Sequence, residues 1–340
     1  MPAILFDLGG THLRAAVQLN CSEVGPLSLT QRRQWRIQNF LNSESPESIW
    51  DSLLDLASSY VDSVSSIVSR DTPVILGFPG PVTADGIILA APTIAGNAST
   101  IPDFRRLIAN RTGRPVHILN EMSAAAWWMS TASTANRFLI VTVSSGIGSK
   151  VFDRSSTLGV LDDLPFAGEI GHVIVDHSSN APYCDCGGRG HLGAIASGRG
   201  IERFATLEAR RDPNAFLSSL CAIRYGATPE ELNNEAHLVP AAQAGDPWAL
   251  AVIAHCTVPL AQIVAGLTAA VGLDHVAIIG GFAQTLGDTY RQILEEQLAP
   301  YEFFPGFPKF SSGFIEVHRP ENDVCLLGAA TYAHIRLGIS

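Results

Sequence analysis

Histidine and cysteine are concentrated in one glycine-rich stretch of the chain, at the spacing of a metal site. Cys184 and Cys186 are one residue apart, His191 follows five residues later, and His172 lies twelve residues before Cys184. Two thiolates and two imidazoles are a ligand set of tetrahedral structural zinc sites, and the intervening glycines let a loop fold around an ion. The spacing predicts a zinc site formed by these four residues, with His177 as a competing ligand.

Three glycine-bearing turns follow apolar stretches and could approach a phosphate closely. Glycine permits close approach of the backbone, and a concave run of N–H groups binds anions. An acid beside such a turn can hold Mg²⁺, directly or through water. One such turn alone is compatible with an ordinary hairpin, and three together shift the interpretation toward a bound nucleotide while ordinary turns stay an open alternative. The turns are Asp7-Leu-Gly-Gly-Thr11, Ser144-Ser-Gly-Ile-Gly-Ser149 and Gly280-Gly-Phe-Ala283.

The pair Asn120-Glu121 stands where an apolar strand gives way to a helical pattern. Strand ends of α/β sheets are where ligands gather, so Asn120 could hold a hydroxyl and Glu121 could accept its proton. An asparagine cap followed by an acid in the first helical turn is also common in helices without any catalytic role. The residues alone leave both interpretations open.

The elements that must position these residues alternate between strands and helices, which indicates a mixed α/β protein. Glycine turns after a strand in both halves suggest a duplicated architecture. Hydrophobic periodicity predicts strands at 3–8, 13–19, 74–78, 115–119, 137–144, 147–153 and 276–279, and helices at 47–69, 103–112, 120–133, 199–211, 214–224, 229–234, 247–271 and 323–337.

Composition indicates a large core and excludes several classes of partner. The 340 residues are 46% hydrophobic with a formal net charge of −10, and only Lys150 and Lys309 are lysines. An acidic chain of this kind repels a phosphate backbone and an anionic bilayer. We expect no apolar run long enough to span a membrane, and Asp7 interrupts the apolar stretch that a signal peptide would continue. We expect a cytoplasmic protein with no nucleic-acid or membrane partner. Four scattered cysteines are expected to be reduced and mostly buried: Cys21, Cys221, Cys256 and Cys325.

Read in order, the motifs resemble those of the ROK family, which contains bacterial sugar kinases of glucokinase type and transcriptional repressors. The resemblance extends over essentially the whole chain. The motifs are Asp7-Leu-Gly-Gly-Thr11, Gly77-Phe-Pro-Gly80, Asn120-Glu121, Gly146-Ile-Gly148, Glu169-Ile-Gly-His172, Cys184-x-Cys186-Gly-x-x-Gly190, Gly280-Gly281 and Gly328-Ala-Ala330.

The resemblance implies the actin-like ATPase (ribonuclease H-like) fold, with two α/β domains flanking a cleft. We expect an N-terminal domain at 1–119, onto which a helix at 325–340 packs back, and a C-terminal domain at 120–324 that carries the base, the zinc loop and the adenosine site. The resemblance further implies roles for single residues. The phosphates and Mg²⁺ of ATP would contact Asp7, Gly9, Gly10, Thr11, Ser145 and Gly146. The adenosine would lie at Gly280 and Gly281. The sugar would contact Gly80, Asn120, Glu169 and His172, and Glu121 would be the general base.

The sequence departs from the family at informative places. The base is usually Asp rather than Glu121, the third zinc cysteine is replaced by His191, and Gly193 replaces a glutamate that holds hydroxyls near the anomeric carbon. Lys150 follows the second phosphate turn, and a solvated strand lysine is favoured there over a phosphate contact. A site that loses a carboxylate loses hydrogen bonds to hydroxyls, so the acceptor is expected to differ from plain glucose.

The sequence thus predicts an ATP-dependent kinase of the primary hydroxyl of a hexose or sugar-like acceptor, such as an amino sugar or a C7 cyclitol of the valiolone type. The alternatives are a glucokinase proper and a catalytically inactive sugar sensor. A polyphosphate donor is disfavoured because no basic trough is evident. A DNA-binding repressor is disfavoured because the first motif starts at residue 4, which leaves no room for a helix-turn-helix. By analogy with the family we expect a homodimer.

Overall fold

The computed structural model describes residues 2–19, 29–43, 45–96, 98, 100–156, 159–161, 166–302, 310, 313–318 and 323–338. The strands are β1 Ala3–Leu8, β2 His12–Gln18, β3 Leu29–Arg36, β4 Val74–Phe78, β5 Val116–Asn120, β6 Arg137–Val143, β7 Ile147–Asp153, β8 His275–Ile279 and β9 Ile315–Val317. The α-helices are α1 Pro46–Val64, α2 Pro92–Ala95, α3 Phe104–Thr112, α4 Glu121–Ala132, α5 Leu192–Ala196, α6 Gly198–Arg211, α7 Pro213–Leu217, α8 Leu220–Ile223, α9 Val239–Gln243, α10 Pro247–Val271, α11 Gly281–Leu286, α12 Asp288–Leu298 and α13 Val324–Arg336.

The chain divides into two compact units, and the first comprises residues 1–134, 152–167 and 321–340. Its sheet has the order β3-β2-β1-β4-β5, in which β1, β4 and β5 run parallel and β2 and β3 are antiparallel additions. All six residues of β1 are buried, as expected for a strand covered on both faces. Helix α13 packs on β1 and α4, while Phe6 contacts Tyr60 of α1 edge to face.

The second unit comprises residues 135–151 and 168–320, and its sheet has the order β7-β6-β8-β9. Strands β6, β8 and β9 are mutually parallel. Helix α10 is the central helix of this unit and contacts α5, α6, α9 and α12. Asp246 caps its start by accepting from Ala249 N at 3.0 Å, and Gly272 ends it in the left-handed conformation.

Helix α10 corrects one expectation from sequence. At 25 residues, with a mean hydropathy of 1.8 over its most apolar window, it meets the length and composition criteria for a membrane span. Core helices pass the same test, and the buried face of α10 lies in the core of the second unit, where it includes Ile253, Leu260 and Val264. Its hydrophobicity is explained by this packing.

The division also differs from the predicted boundary at 119/120. Helix α4, expected at the start of the second domain, packs with α13 in the first unit, and residues 152–167 are assigned to that unit as well. The physical reason is that α13 supplies the apolar surface that covers α4, a contact that sequence distance conceals. The predicted helix at 229–234 is also wrong, because residues 229–231 form a turn, residues 232–233 have no regular secondary structure, and a π-helical turn follows at Asn234–Leu238.

Candidate active site

The carboxyl ends of the parallel strands β1, β4 and β5 bring the predicted catalytic residues of the first unit together. Asp7 pairs with Gly77 across β1 and β4. An ideal Cβ on Gly77 would lie 3.9 Å from both Asp7 Oδ1 and the Cα of Glu121. The two predicted acids therefore flank a residue without a side chain, at the edge of the sheet where α/β proteins bind ligands.

Asp7 is buried, with 2% of its surface exposed, and its Oδ2 lies 2.5 Å from Arg14 Nη2 in an ion pair. Burial raises the pKa of Asp7 above its usual value, while the Arg14 guanidinium opposes the rise. Arg14 was not among the predicted site residues. The sequence signal for Arg14 was its position, because it lies opposite Asp7 in the β1–β2 hairpin and is a charged residue among the apolar residues Leu13 to Val17.

The first glycine turn is closed by its own backbone. Gly9 N donates to His12 O at 2.9 Å, so the anion contacts expected of this turn fall to Gly10 and Thr11. Gly10 O accepts from Asn39 Nδ2 at 2.7 Å, and a Cβ on Gly10 would lie 2.6 Å from Thr93 Cγ2. A side chain at residue 10 would therefore require the Thr93 side chain on α2 to move.

Asn120 is both a helix cap and a link to a second predicted substrate residue. Its Oδ1 accepts from Met122 N at 2.8 Å and Ser123 N at 3.3 Å, and its Nδ2 donates to Gly80 O at 2.8 Å. The capping interpretation is therefore correct, and it fixes the buried amide at the strand end. An amide nitrogen carries two donors, so one hydrogen remains beyond the Gly80 bond.

Glu121 is the first residue of α4, where the helix dipole favours a negative charge. The thiol of Cys325, on α13, donates to Glu121 O at 3.6 Å. Burial and the nearby carboxyl groups of Asp7 and Glu121 raise the pKa of Cys325 well above its usual value, which keeps the thiol protonated. Cys221, Cys256 and Cys325 are free thiols, and the first two are buried, as predicted; Cys21 lies outside the described residues.

In the second unit the carboxyl ends of β6 and β8 place two glycine turns side by side. Thr142 pairs with Ile279, and a Cβ on Gly280, whose φ is +98°, would lie 2.6 Å from Thr142 Oγ1. A Cβ on Gly146 or Gly281 would meet no atom within 4 Å. The predicted phosphate loop and adenosine turn therefore lie together, each with a glycine that faces open space.

Arg199 holds the second phosphate turn and was not predicted. Its Nε donates to Ser145 O at 2.8 Å, and its Nη2 pairs with Asp185 Oδ2 at 2.7 Å. Gly198 N also donates to Ser144 O at 2.7 Å. The start of α6 thus connects this turn to the cysteine-containing loop.

Lys150 is not the solvated strand lysine that was favoured from sequence. It is buried, with 2% exposed, and a Cβ on Gly168 would lie 3.1 Å from its Cδ. Its neighbour Ser149 donates to Gly168 O at 2.8 Å. The segment that leads into Glu169 covers this part of β7, which removes the lysine from water.

The four predicted zinc ligands lie together, with their donor atoms all within 4.8 Å of one another. Cys184 Sγ is 3.9 Å from His172 Nδ1, and Cys186 Sγ is 3.2 Å from His191 Nδ1. Bond lengths of about 2.3 Å to sulfur and 2.0–2.1 Å to nitrogen place such donors about 3.6 Å apart around a tetrahedral ion. The two observed distances lie on either side of that value, so the residues fit zinc. His177 is not part of the group.

Glu169 precedes the short 3₁₀ turn Ile170–His172, whose last residue is His172, and His172 N donates to Glu169 O at 3.0 Å. Helix α5 approaches this turn closely, because a Cβ on Gly193 would lie 3.1 Å from Gly171 O. With Nδ1 of His172 directed to Cys184, its Nε2 is the nitrogen left for a substrate. Predicted substrate residues thus form one pair in each unit, Gly80 with Asn120 and Glu169 with His172.

Comparison with known proteins gives relatives over the whole chain. The chain is 36% identical over 338 residues to a C(7)-cyclitol 7-kinase of Streptomyces hygroscopicus subsp. jinggangensis (strain 5008); the match covers 98% of this chain and 94% of the relative. The chain is also 29% identical over 273 residues to a glucokinase of Thermotoga maritima; that match covers 77% of this chain and 79% of the relative.

The fold has solved relatives as well. The structure of a ROK hexokinase from Thermus thermophilus matches with a TM-score of 0.71 and 26% identity over 100% of both chains. This confirms the predicted α/β fold of actin-like ATPase type. The family model of the ROK family matches residues 4–335. The chain belongs to the ROK family.

Proposed function

We propose that this protein transfers the γ-phosphoryl group of ATP to the primary hydroxyl of a C7 cyclitol of the valiolone type. The protein is a kinase of the sugar and cyclitol class, like its relatives. The finer assignment rests on the 36% identity, over 98% of this chain, to a C(7)-cyclitol 7-kinase. That observation carries the proposal.

Gly193 supports an acceptor without an anomeric hydroxyl. The resemblance expects a glutamate there to hold hydroxyls near the anomeric carbon, and a carbocyclic ring has no such centre. A glycine also lets α5 pack tightly, since even a Cβ would be 3.1 Å from Gly171 O. A cyclitol therefore removes the need for the carboxylate that this chain lacks.

Glu121 would act as general base and Asn120 as a positioning donor. The Glu121 carboxylate accepts the proton of the attacking hydroxyl while that oxygen forms its bond to the γ-phosphorus and the bond to the β-phosphate oxygen of ATP breaks. Asn120 fixes the direction in which the strand end presents Glu121, because it caps α4 and bonds Gly80. Positioning of this kind is most of what a kinase contributes.

From the family resemblance, Mg-ATP would contact residues of each unit. In the first unit these are Asp7, Gly10 and Thr11, with Gly9 shaping the turn. In the second unit they are Ser145, Gly146, Gly280 and Gly281. Bound Mg²⁺ would neutralise negative charge on the transferred phosphate. The backbone around Gly146 and Gly281 faces open space, which suits approach of a nucleotide.

We propose that His172, Cys184, Cys186 and His191 hold a structural zinc ion. Four protein ligands leave no open position, so the ion would shape the loop rather than take part in the chemistry. His172 would link this loop to the acceptor, with one ring nitrogen on the metal and the other on a hydroxyl. We also propose a cytoplasmic homodimer, for which size-exclusion chromatography with light scattering is the test.

The test of the proposed function is ADP release with Mg-ATP against a panel of acceptors. The panel contains valiolone-type C7 cyclitols, glucose, N-acetylmannosamine, 2- and 3-amino-glucose, and 2-deoxyglucose. We expect the highest kcat/KM with a cyclitol. Preference for glucose would instead make the protein a glucokinase, and ATP binding without turnover of any acceptor would favour a sugar sensor.

Gly193→Glu is the matched variant for acceptor choice. We expect it to lower kcat/KM for the cyclitol relative to that for glucose, because it restores an acceptor group for an anomeric hydroxyl. Gly193→Ala adds bulk near Gly171 without a carboxylate and separates the two effects. An unchanged ratio in Gly193→Glu would show that residue 193 does not select the acceptor.

A further inference from the structure

A second cluster of metal-ligand side chains lies at the edge of the sheet of the second unit, away from the cysteine-containing loop in sequence. It consists of His275 on β8, Glu316 on β9 and His318 immediately after β9. The parallel register pairs Ala277 with Glu316. Side chains alternate along strands, so His275, two residues before Ala277, and His318, two after Glu316, share the face of Glu316.

The donor atoms converge on one point. His318 Nε2 is 3.3 Å from Glu316 Oε2, His275 Nε2 is 4.0 Å from the same oxygen, and all three lie within 4.8 Å of one another. Zinc bonds of 2.0–2.1 Å place the donors of a tetrahedral ion about 3.3–3.4 Å apart. The His318–Glu316 pair already has that spacing. The Glu316 side chain is 58% exposed, so it can move the short distance that His275 requires.

The buried imidazole of His275 is oriented as a metal ligand is. Its Nδ1 lies 3.2 Å from Gly313 O, which makes that nitrogen the proton donor and leaves Nε2 as a lone-pair nitrogen. His275 is 8% exposed, and Nε2 is buried without a hydrogen-bond partner among the described residues. A ring nitrogen bonded to a backbone carbonyl, with the other nitrogen presented to the cluster, is the usual arrangement of a metal-binding histidine.

The two imidazoles suit a transition metal of the zinc class. Neutral imidazole is the form that coordinates a metal. No direct hydrogen bond satisfies Nε2 of His275, because its distance of 4.0 Å to Glu316 Oε2 exceeds hydrogen-bond range.

We propose that His275, Glu316 and His318 form a second transition-metal site, of the zinc class, separate from the Cys184–Cys186 loop. Two imidazoles and a carboxylate supply three ligands, and water completes the coordination. Mg²⁺ and Ca²⁺ are unsuited because they take oxygen ligands. The ion would tie the three-residue edge strand β9 to β8.

The experiment measures bound metal in a background that lacks the thiolates of the other cluster. Full-length protein carrying Cys184→Ser and Cys186→Ser is stripped of metal, loaded with Zn²⁺ or Co²⁺, and passed over a desalting column. We expect one bound ion per chain, and with Co²⁺ a spectrum without thiolate charge-transfer bands. Absence of a retained ion in this background would overturn the proposal.

Single substitutions then locate that ion. We expect Glu316→Ala and His318→Ala each to weaken Zn²⁺ binding roughly tenfold or more, since even indirect ligand contacts contribute that much. The Glu316 side chain is mostly exposed, so its removal should not disturb the fold. His255→Ala removes an exposed imidazole of α10 outside both clusters and is the control, expected to leave binding unchanged. Retention of the ion at full affinity in both Glu316→Ala and His318→Ala would overturn the proposal.

Discussion

Burial places the carboxylate of Asp7 in surroundings that oppose its charge, and a single cation offsets part of that cost. Its raised pKa means that the folded protein binds a proton more readily at Asp7 than the unfolded chain does. The contribution of Asp7 to the free energy of unfolding is fully present below the usual aspartate pKa. It is lost as the pH rises through the raised pKa of Asp7 in the folded protein. At neutral pH, well above the usual aspartate pKa, Asp7 therefore lowers the stability of the folded protein, which is expected of a group kept for function.

Asp7→Asn should make this visible. We expect it to abolish turnover and to raise the melting temperature relative to the unchanged protein at pH 7, with a smaller difference near pH 4. Arg14 stays solvated in the variant because its side chain is 36% exposed. Melting curves across this pH range provide the measurement. A larger gain at acid pH than at neutral pH would contradict the assigned cause.

Glu121→Gln tests the base at the start of α4. We expect kcat to fall by about 10²–10⁴-fold, the usual contribution of a positioned general base, with little change in ATP binding. Glu121→Asp shortens the side chain by one methylene and keeps the charge. We expect Glu121→Asp to retain part of the activity. The measurement is kcat from ADP release for both variants, compared with that of the unchanged protein. Full turnover in Glu121→Gln would remove Glu121 from this role.

At the scale of elements, the α4–α13 contact holds in place the helix that begins with Glu121. The two helices pack so closely that a Cβ on Gly328 would overlap Ala124 O. Cys325 of α13 reaches the backbone of Glu121 at the same interface. Helix packing therefore explains why residue 328 in Gly328-Ala-Ala330 is a glycine, without reference to any ligand.

Gly328→Ala is expected to destabilise the protein by about 1–3 kcal/mol, as overpacked sites do. Gly266→Ala is the matched control in another helix, α10, because a Cβ there would meet no atom within 4 Å. It should stabilise by about 0.5–1 kcal/mol through helix propensity alone. Differential scanning calorimetry of both variants compares the signs. Equal effects of both substitutions would show that close packing at Gly328 is not the cause.

At the scale of the whole molecule, the first unit is completed only by the last residues of the chain. Residues 321–340 join residues 1–134 and 152–167, and Arg32 of β3 forms an ion pair with Asp323 just before α13. Without α13, the apolar faces of β1 and α4 would be exposed to water.

A chain ended after residue 322 should therefore lose the cooperative unfolding of the first unit and all kinase activity. A chain ended after Leu337 keeps α13 and is the control, expected to behave as the full chain does. Calorimetry and limited proteolysis measure the unfolding of the first unit separately from that of the second. Two intact transitions in the shorter chain would refute the dependence on α13.

The sequence by itself determined the local sites. The cysteine–histidine quartet lies within twenty residues whose glycines and spacing leave few ways to arrange the ligands, and the first glycine turn and the Asn120 cap are likewise set by neighbours in the chain. Family resemblance then supplied the fold and the kinase class. These features depend on short-range geometry, which residue types and spacing encode directly.

Only the tertiary structure decided the features that join distant segments. It buried Lys150, paired Arg14 with Asp7, brought Cys325 to Glu121 across 204 positions, and placed α4 with α13 rather than with the second unit. It also brought His275 to Glu316 and His318 through the register of two parallel strands. Such contacts follow from which apolar surfaces cover one another, and burial of that kind is a property of the whole packed chain.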